Sequence, residues 1–200
     1  MMPAGRIAEG RQMTGSREVA GVGPGNGWRI ARWSVAVALL LTPLVMMQIS
    51  DEWHWEAGSF VMAGILIGGV GLLYELAERA SASRAYRAGA AVALIASFLS
   101  VWAVFVRDDG TGIGYFLVVM AAGVGAFAAW FRAAGMARAM LGTAAMQGLL
   151  GLAISTAPDT ARVADGPFKA MVFGGVFAGL WLVSALFFHA AAGGASRSAG

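Results

Sequence analysis

The chain has no cysteine, so it carries no thiol nucleophile, disulfide, iron–sulfur cluster or thioether-linked haem. Charge is scarce too. Asp, Glu, Lys and Arg together make up 12% of the residues, against roughly 25% in soluble domains. No segment alternates apolar and polar residues as barrel strands do, which argues against a β-barrel. The sequence also lacks a Ser-His-Asp set, an H-E-x-x-H motif and a pair of intramembrane aspartates. The Gly21–Gly27 run has no following Lys-Ser/Thr and is no phosphate loop. Gly123-Val-Gly125 has no strand before it and is no dinucleotide fingerprint. An enzyme is not expected, nor a cofactor.

What the chain has is apolar length. Hydrophobic residues make up 58% of it. A bilayer span takes about 20 largely apolar residues at roughly 1.5 Å rise each. Six segments meet that condition: Ile30–Ser50, Ser59–Ala77, Arg87–Val106, Gly112–Phe131, Met136–Thr156 and Phe168–Ala190. The expected fold is an all-α integral membrane protein, a six-helix transmembrane bundle with short connections. Residues 1–29 read as a mobile cytoplasmic tail, 30–190 as the transmembrane domain and 191–200 as a short flexible tail. A signal peptide is not expected, because the basic region is too long and no small-x-small site follows the first span.

The charges give an orientation. Of the 14 Lys and Arg residues, all but Arg107, Arg162 and Lys169 fall at one end of the bundle. The positive-inside rule makes that end cytoplasmic, with both termini there. Seven of the acids, including Asp51, Glu52, Glu56 and Asp159, fall at the other end. The basic balance is thus a topology signal rather than a nucleic-acid footprint. Trp28, Trp33, Tyr74, Tyr86 and Trp130 mark the inner interface, and Trp53, Trp55, Trp102 and Tyr115 the outer one. Trp181 alone sits mid-span.

Small residues indicate the packing, since membrane helices associate through close approach rather than through burial from water. The second span repeats Gly64, Gly68, Gly71 and Glu75. The third repeats Gly89, Ala93, Ala96, Ser100 and Ala103. The fourth repeats Gly114, Val118, Ala121, Gly125 and Ala128, and the fifth Ala144, Gly148, Gly151 and Ser155. Alternating spacings of 3 and 4 keep each seam on one face. Central helices 2–5 are therefore expected to be the tightly packed ones. Gly175 and Gly179 form a G-x-x-x-G contact on the sixth. The first span, Leu/Val-rich with Pro43 as a kink point, is expected at the periphery.

The stretch Gly69-Val-Gly-Leu-Leu-Tyr-Glu-Leu-Ala-Glu-Arg79, then Arg84-Ala-Tyr-Arg87 and the Ala-rich span to Trp102, resembles a family of uncharacterised bacterial inner-membrane proteins. Gly135-Met-Ala-Arg-Ala139 also fits. The resemblance covers residues 58–153; after Trp102 the chain departs from the family's longer Gly/Asn-containing connection. It implies a bacterial inner-membrane location. It implies no catalytic residue, because the family has no established activity.

Three polar features are the candidate sites. Glu75 continues the glycine seam near the inner edge of its span, and Arg79 follows at i+4, the favourable order for an ion pair. The pair is either a proton or cation ligand or a structural clamp, and the clamp is the expected reading. Gln147 is the most polar side chain near the midplane, either a solute ligand or interhelical glue. Ser97, Ser100 and Thr143 are expected to bond backbone carbonyls. His54, flanked by Asp51, Glu52 and Glu56, is a solvated loop anchored by Trp53 and Trp55 rather than a metal site. His54 and His189 lie at opposite ends of a core about 30 Å thick and cannot share a haem in one subunit. The expected function is that of a non-catalytic accessory or interaction subunit, with the lipid bilayer and a membrane-protein partner or a second copy around it. The alternative is a small transporter or channel for a neutral or weakly charged solute.

Overall fold

A computed structural model describes residues 24–50, 55–106 and 112–197. Every regular element among them is an α-helix: α1 (Pro24–Ile49), α2 (Ala57–Ala80), α3 (Arg84–Val106), α4 (Gly112–Ala128), α5 (Ala133–Ser155), the single turn α6 (Pro158–Ala161) and α7 (Gly166–Arg197). Most of the expected N-terminal tail, the loop from Asp51 to His54, and Asp108 and Asp109 lie outside the described residues.

The protein is an all-α membrane bundle. Among the described residues, α1, α2, α3, α5 and α7 are long and apolar enough to cross a bilayer. A sixth full-length span, expected over Gly112–Phe131, is not among them. α4 is apolar but has 17 residues. It stops early because Trp130 and Phe131 take left-handed φ values of 49° and 55°. The Trp130 N–H then bonds the Phe127 carbonyl at 2.9 Å and the Phe131 N–H bonds the Ala126 carbonyl at 3.2 Å. This is a Schellman cap with tryptophan at the position where glycine is usual.

The centre of the bundle differs from the expected block of helices 2–5. α7 occupies it, packed most extensively on α5 and next on α3. α2 lies between α3 and α1, and α4 rests on α5 and α3. The reason lies in the buried face of α7: Ala170, Gly174, Phe177, Trp181, Ser184, Phe188 and Ala191. This face keeps the spacing of 4 and 3 but mixes small with aromatic residues. The glycine and alanine admit a neighbouring backbone, and the rings fill the room beside them. Trp181 and Phe188 are both 0% exposed.

The α5–α7 crossing is backbone on backbone. A Cβ built on Gly151 would stand 2.8 Å from the Gly174 Cα, and one on Gly174 would stand 2.7 Å from the Gly151 Cα. Against α3, a Cβ on Gly89 would meet the Phe188 ring at 3.1 Å. Ser184 Oγ donates to the Gly89 carbonyl at 2.8 Å, a buried bond between helices. A Cβ on Gly125 would come within 2.9 Å of Ala139 Cβ, which joins α4 to α5. The seam on α7 thus runs through Gly174 and Ala178. The expected contact pair, Gly175 and Gly179, meets nothing within 4 Å. Gly68 likewise meets nothing within 4 Å, because the side chains of α1 reach α2 on either side of it, Leu40 at Gly64 and Trp33 at Gly71.

Gly151→Leu is therefore expected to force α5 and α7 apart and to cost about 3 kcal/mol. Gly68→Leu should stay within about 0.5 kcal/mol of the parent. The midpoint of unfolding in mixed detergent micelles reads both, and equal losses would contradict this packing.

Candidate functional site

The densest polar cluster joins α1 to α2 at the basic end. Glu75 is buried, at 8% exposure. Its Oε1 accepts from Arg29 Nε at 3.1 Å and from the Trp33 indole N–H at 3.2 Å. Arg32 Nη2 lies 3.7 Å from the same oxygen, and Arg79 Nη2 lies 3.8 Å from Oε2. Arg32 donates from Nη1 to Glu78 at 2.7 Å and sits over the Tyr74 ring, 5.0 Å from its centroid.

The geometry follows from helix periodicity. Arg29, Arg32 and Trp33 share one face of α1, while Gly71, Tyr74, Glu75 and Glu78 share one face of α2. Gly71 gives the Trp33 ring a seat, since a Cβ there would be 3.2 Å from it. The ring is thereby held with its N–H on the carboxylate. The i+4 partner, Arg79, is the more distant and is 70% exposed. Two carboxylates facing three arginines form a net-positive cluster, which can hold helices together but has little capacity left for a further cation, and Arg32 Nη2 is left without a hydrogen bond among the described residues. Arg29 and Trp33 escape a reading of α2 alone. The signal for them is the antiparallel hairpin itself, which brings the basic start of the first span beside the acidic end of the second.

Gln147 is placed quite differently. It is 0% exposed, and neither its Oε1 nor its Nε2 has a hydrogen-bond partner among the described residues. Ser100 Oγ and Trp181 Nε1 are buried and unpaired in the same way. Two helix registers bring the three together. Gly151 meets Gly174 and Gly148 meets Ala178, so Gln147 on α5 is level with Ala178 on α7. Gly89 meets Phe188, so Ser100 on α3 falls level with Phe177. At 1.5 Å per residue, the three polar groups lie within about 6 Å of one another along the bundle axis. Buried polar groups normally find partners, so these three stand apart from Ser155 and Ser184, which are buried but hydrogen-bonded. Ser97 and Thr143 instead bond the carbonyls of Ala93 and Ala139 one turn earlier, at 2.8 and 3.0 Å.

Glu75, Arg79 and Gln147 are thus not one site. The first two belong to the α1–α2 clamp and the third to the core. Among the described residues, no group of three or more His, Asp and Glu converges as a metal site would require. Comparisons with protein-family models, with curated proteins and with solved structures find no match.

Two substitutions separate the roles. Glu75→Gln should weaken the clamp by about 1–2 kcal/mol and make α1 easier to cut by limited proteolysis. Gln147→Met removes an unpaired buried amide at nearly constant volume and should raise stability by about 1–3 kcal/mol. Thermal melting in detergent checks both, and destabilisation by Gln147→Met would mean the amide is engaged.

Proposed function

We propose that this protein is a non-catalytic accessory or interaction subunit of a membrane assembly, set in a bacterial inner membrane with both termini in the cytoplasm. The observation that carries the reading is the outward face of α7. Gly175 and Gly179 have open space where a Cβ would stand. Around them Val172, Val176, Leu182 and Leu186 are each more than 40% exposed. The opposite face of the same helix is consumed by the internal seam. A G-x-x-x-G notch bordered by branched apolar side chains admits a further helix closely. The interior supports the same reading: the α5–α7 crossing closes to backbone contact, and Ala96, Val118, Trp181 and Phe188 are fully buried. The orientation rests on the Lys/Arg asymmetry.

The test is the mass of the native-level tagged protein purified in mild detergent. The parent should carry a stoichiometric membrane partner or a second copy. Gly175→Leu combined with Gly179→Leu should lose it while the melting temperature holds, since neither position has an internal neighbour. Retention of the partner by that variant would remove the reading.

A second reading, a small transporter for a neutral solute, draws on the unpaired amide of Gln147, at a similar depth to the unpaired Ser100 and Trp181. It requires solute flux in proteoliposomes that Gln147→Leu abolishes while the fold persists.

A further inference from the structure

The basic end of the bundle holds an open cavity of about 620 Å³ between the α2–α3 turn, the α4–α5 turn and the last turns of α7. Its lining is chemically one-sided. Ser81, Ser83, Tyr86 and Arg132 supply its polar groups, and no lining residue is acidic. The nearest carboxylates along the chain, Glu75 and Glu78, are already held by Arg29, Arg32 and Arg79. Arg132 forms no ion pair among the described residues.

The remaining polar groups are donors in waiting. Ser81 Oγ accepts the Ser83 N–H at 3.2 Å, and Ser83 Oγ accepts the Tyr86 N–H at 3.4 Å. Each hydroxyl acts as an acceptor in those bonds, so each keeps its own proton to donate. α5 starts at the cavity wall with Arg132 as its N-cap, and no side chain caps it. Tyr86 donates to the Phe131 carbonyl at 2.8 Å and so holds the α4–α5 turn in shape. A guanidinium, two hydroxyls and the positive end of a helix, with no acid among them, suit an anion with several acceptor oxygens.

The surroundings identify the source of that anion. Trp130 and Phe131 border the cavity and are 75% and 50% exposed. Their left-handed backbone turns them outward at the end of an apolar helix, the level of glycerol and upper acyl chain in a bilayer. Ala190, Ala191 and Gly194 form the α7 wall without bulk. We propose that this cavity binds the phosphodiester head group of an anionic membrane lipid, with Arg132 as the principal ligand and Trp130 against the chains. Basic pockets between transmembrane helices are suited to such head groups.

The experiment uses the full chain in mild detergent, titrated with dioleoyl phosphatidylglycerol, with dioleoyl phosphatidylcholine and with inorganic phosphate. Bound lipid is counted on the intact protein by mass spectrometry, and melting is followed in parallel. Phosphatidylglycerol should bind saturably and raise the melting temperature more than phosphatidylcholine. Arg132→Gln should weaken that binding about fivefold. Gly194→Leu, where an added Cβ would meet nothing within 4 Å, should obstruct the cavity and abolish the difference between the lipids. Arg132 forms no ion pair among the described residues and an added Cβ at Gly194 meets open space, so both variants should fold, which lipid-free melting checks. Equal binding of the two lipids, or phosphatidylglycerol binding that Arg132→Gln leaves intact, would overturn the proposal. Displacement of the lipid by inorganic phosphate at equal concentration would assign the cavity to a free anion and overturn the lipid source.

Discussion

Two helix backbones touch where Gly151 of α5 meets Gly174 of α7, and the arrangement of the other helices depends on that touch. In a bilayer, lipid tails solvate a leucine as well as another leucine does, so apolar side chains alone give helices little reason to associate. Attraction between helices comes from many short dispersion contacts, which fall away steeply with distance. Removing both side chains at one level lets α5 and α7 approach far enough for those contacts to accumulate along their whole length. The same approach leaves α7 with one face free for α3. There the aromatic rings of Trp181 and Phe188 fill the space that the small residues Gly89 and Ala96 leave open. Gln147, Ser100 and Trp181 lie at a similar depth in this core with no hydrogen-bond partner among the described residues.

α1 is held by different physics. It presents Val35, Val37, Leu39, Leu44 and Val45 outward, each more than 40% exposed, and rests on α2. What fixes it there is charge: Arg29 and Trp33 on Glu75, and Arg32 on Glu78. Further along the pair, Leu40 lies 4.0 Å from a Cβ at Gly64, and Pro43 on α1 and Ala63 on α2 are buried. The bundle therefore has a core fastened by shape and an outer helix fastened by ion pairs near its basic end. Glu75 lies where the two modes meet, on a glycine face that seats an indole and at a depth where a carboxylate needs partners.

Much of this was legible in the sequence, for identifiable reasons. Span positions follow from apolar length: α2, α3 and α5 begin and end within about three residues of the expected limits, α4 stops three residues short, α1 starts six residues earlier and α7 runs seven residues further. The seams of α3 and α5 follow from 3–4 spacing of small residues. The seam of α7 does not, because aromatic residues share it. Gly174 and Gly175 are adjacent, so both Gly174–Ala178 and Gly175–Gly179 satisfy the small-x-x-x-small pattern. The two frames differ by about 100° around the helix, and only the neighbouring helix decides between them. The early end of α4 gives no local signal either, since its cap uses Trp130 where glycine would have announced it. At the candidate sites, the Glu75–Arg79 pair is visible at i+4, whereas Arg29 and Trp33 depend on the register between two helices. Gln147 stands out by its polarity, but its isolation can be seen only once three helices are assembled.

The α5–α7 register can be measured directly, and the absence of native cysteine makes the measurement clean. A Cβ at Gly148 would lie 4.0 Å from Ala178 Cβ, inside the usual range of about 3.5–4.5 Å for a disulfide. Gly148→Cys with Ala178→Cys should therefore cross-link readily on mild oxidation in native membranes, within one chain. Gly148→Cys with Gly179→Cys, one residue further around α7, should not. Efficient cross-linking of the second pair and not the first would mean that α7 presents its other glycine face to α5, and the account of the core given above would be wrong.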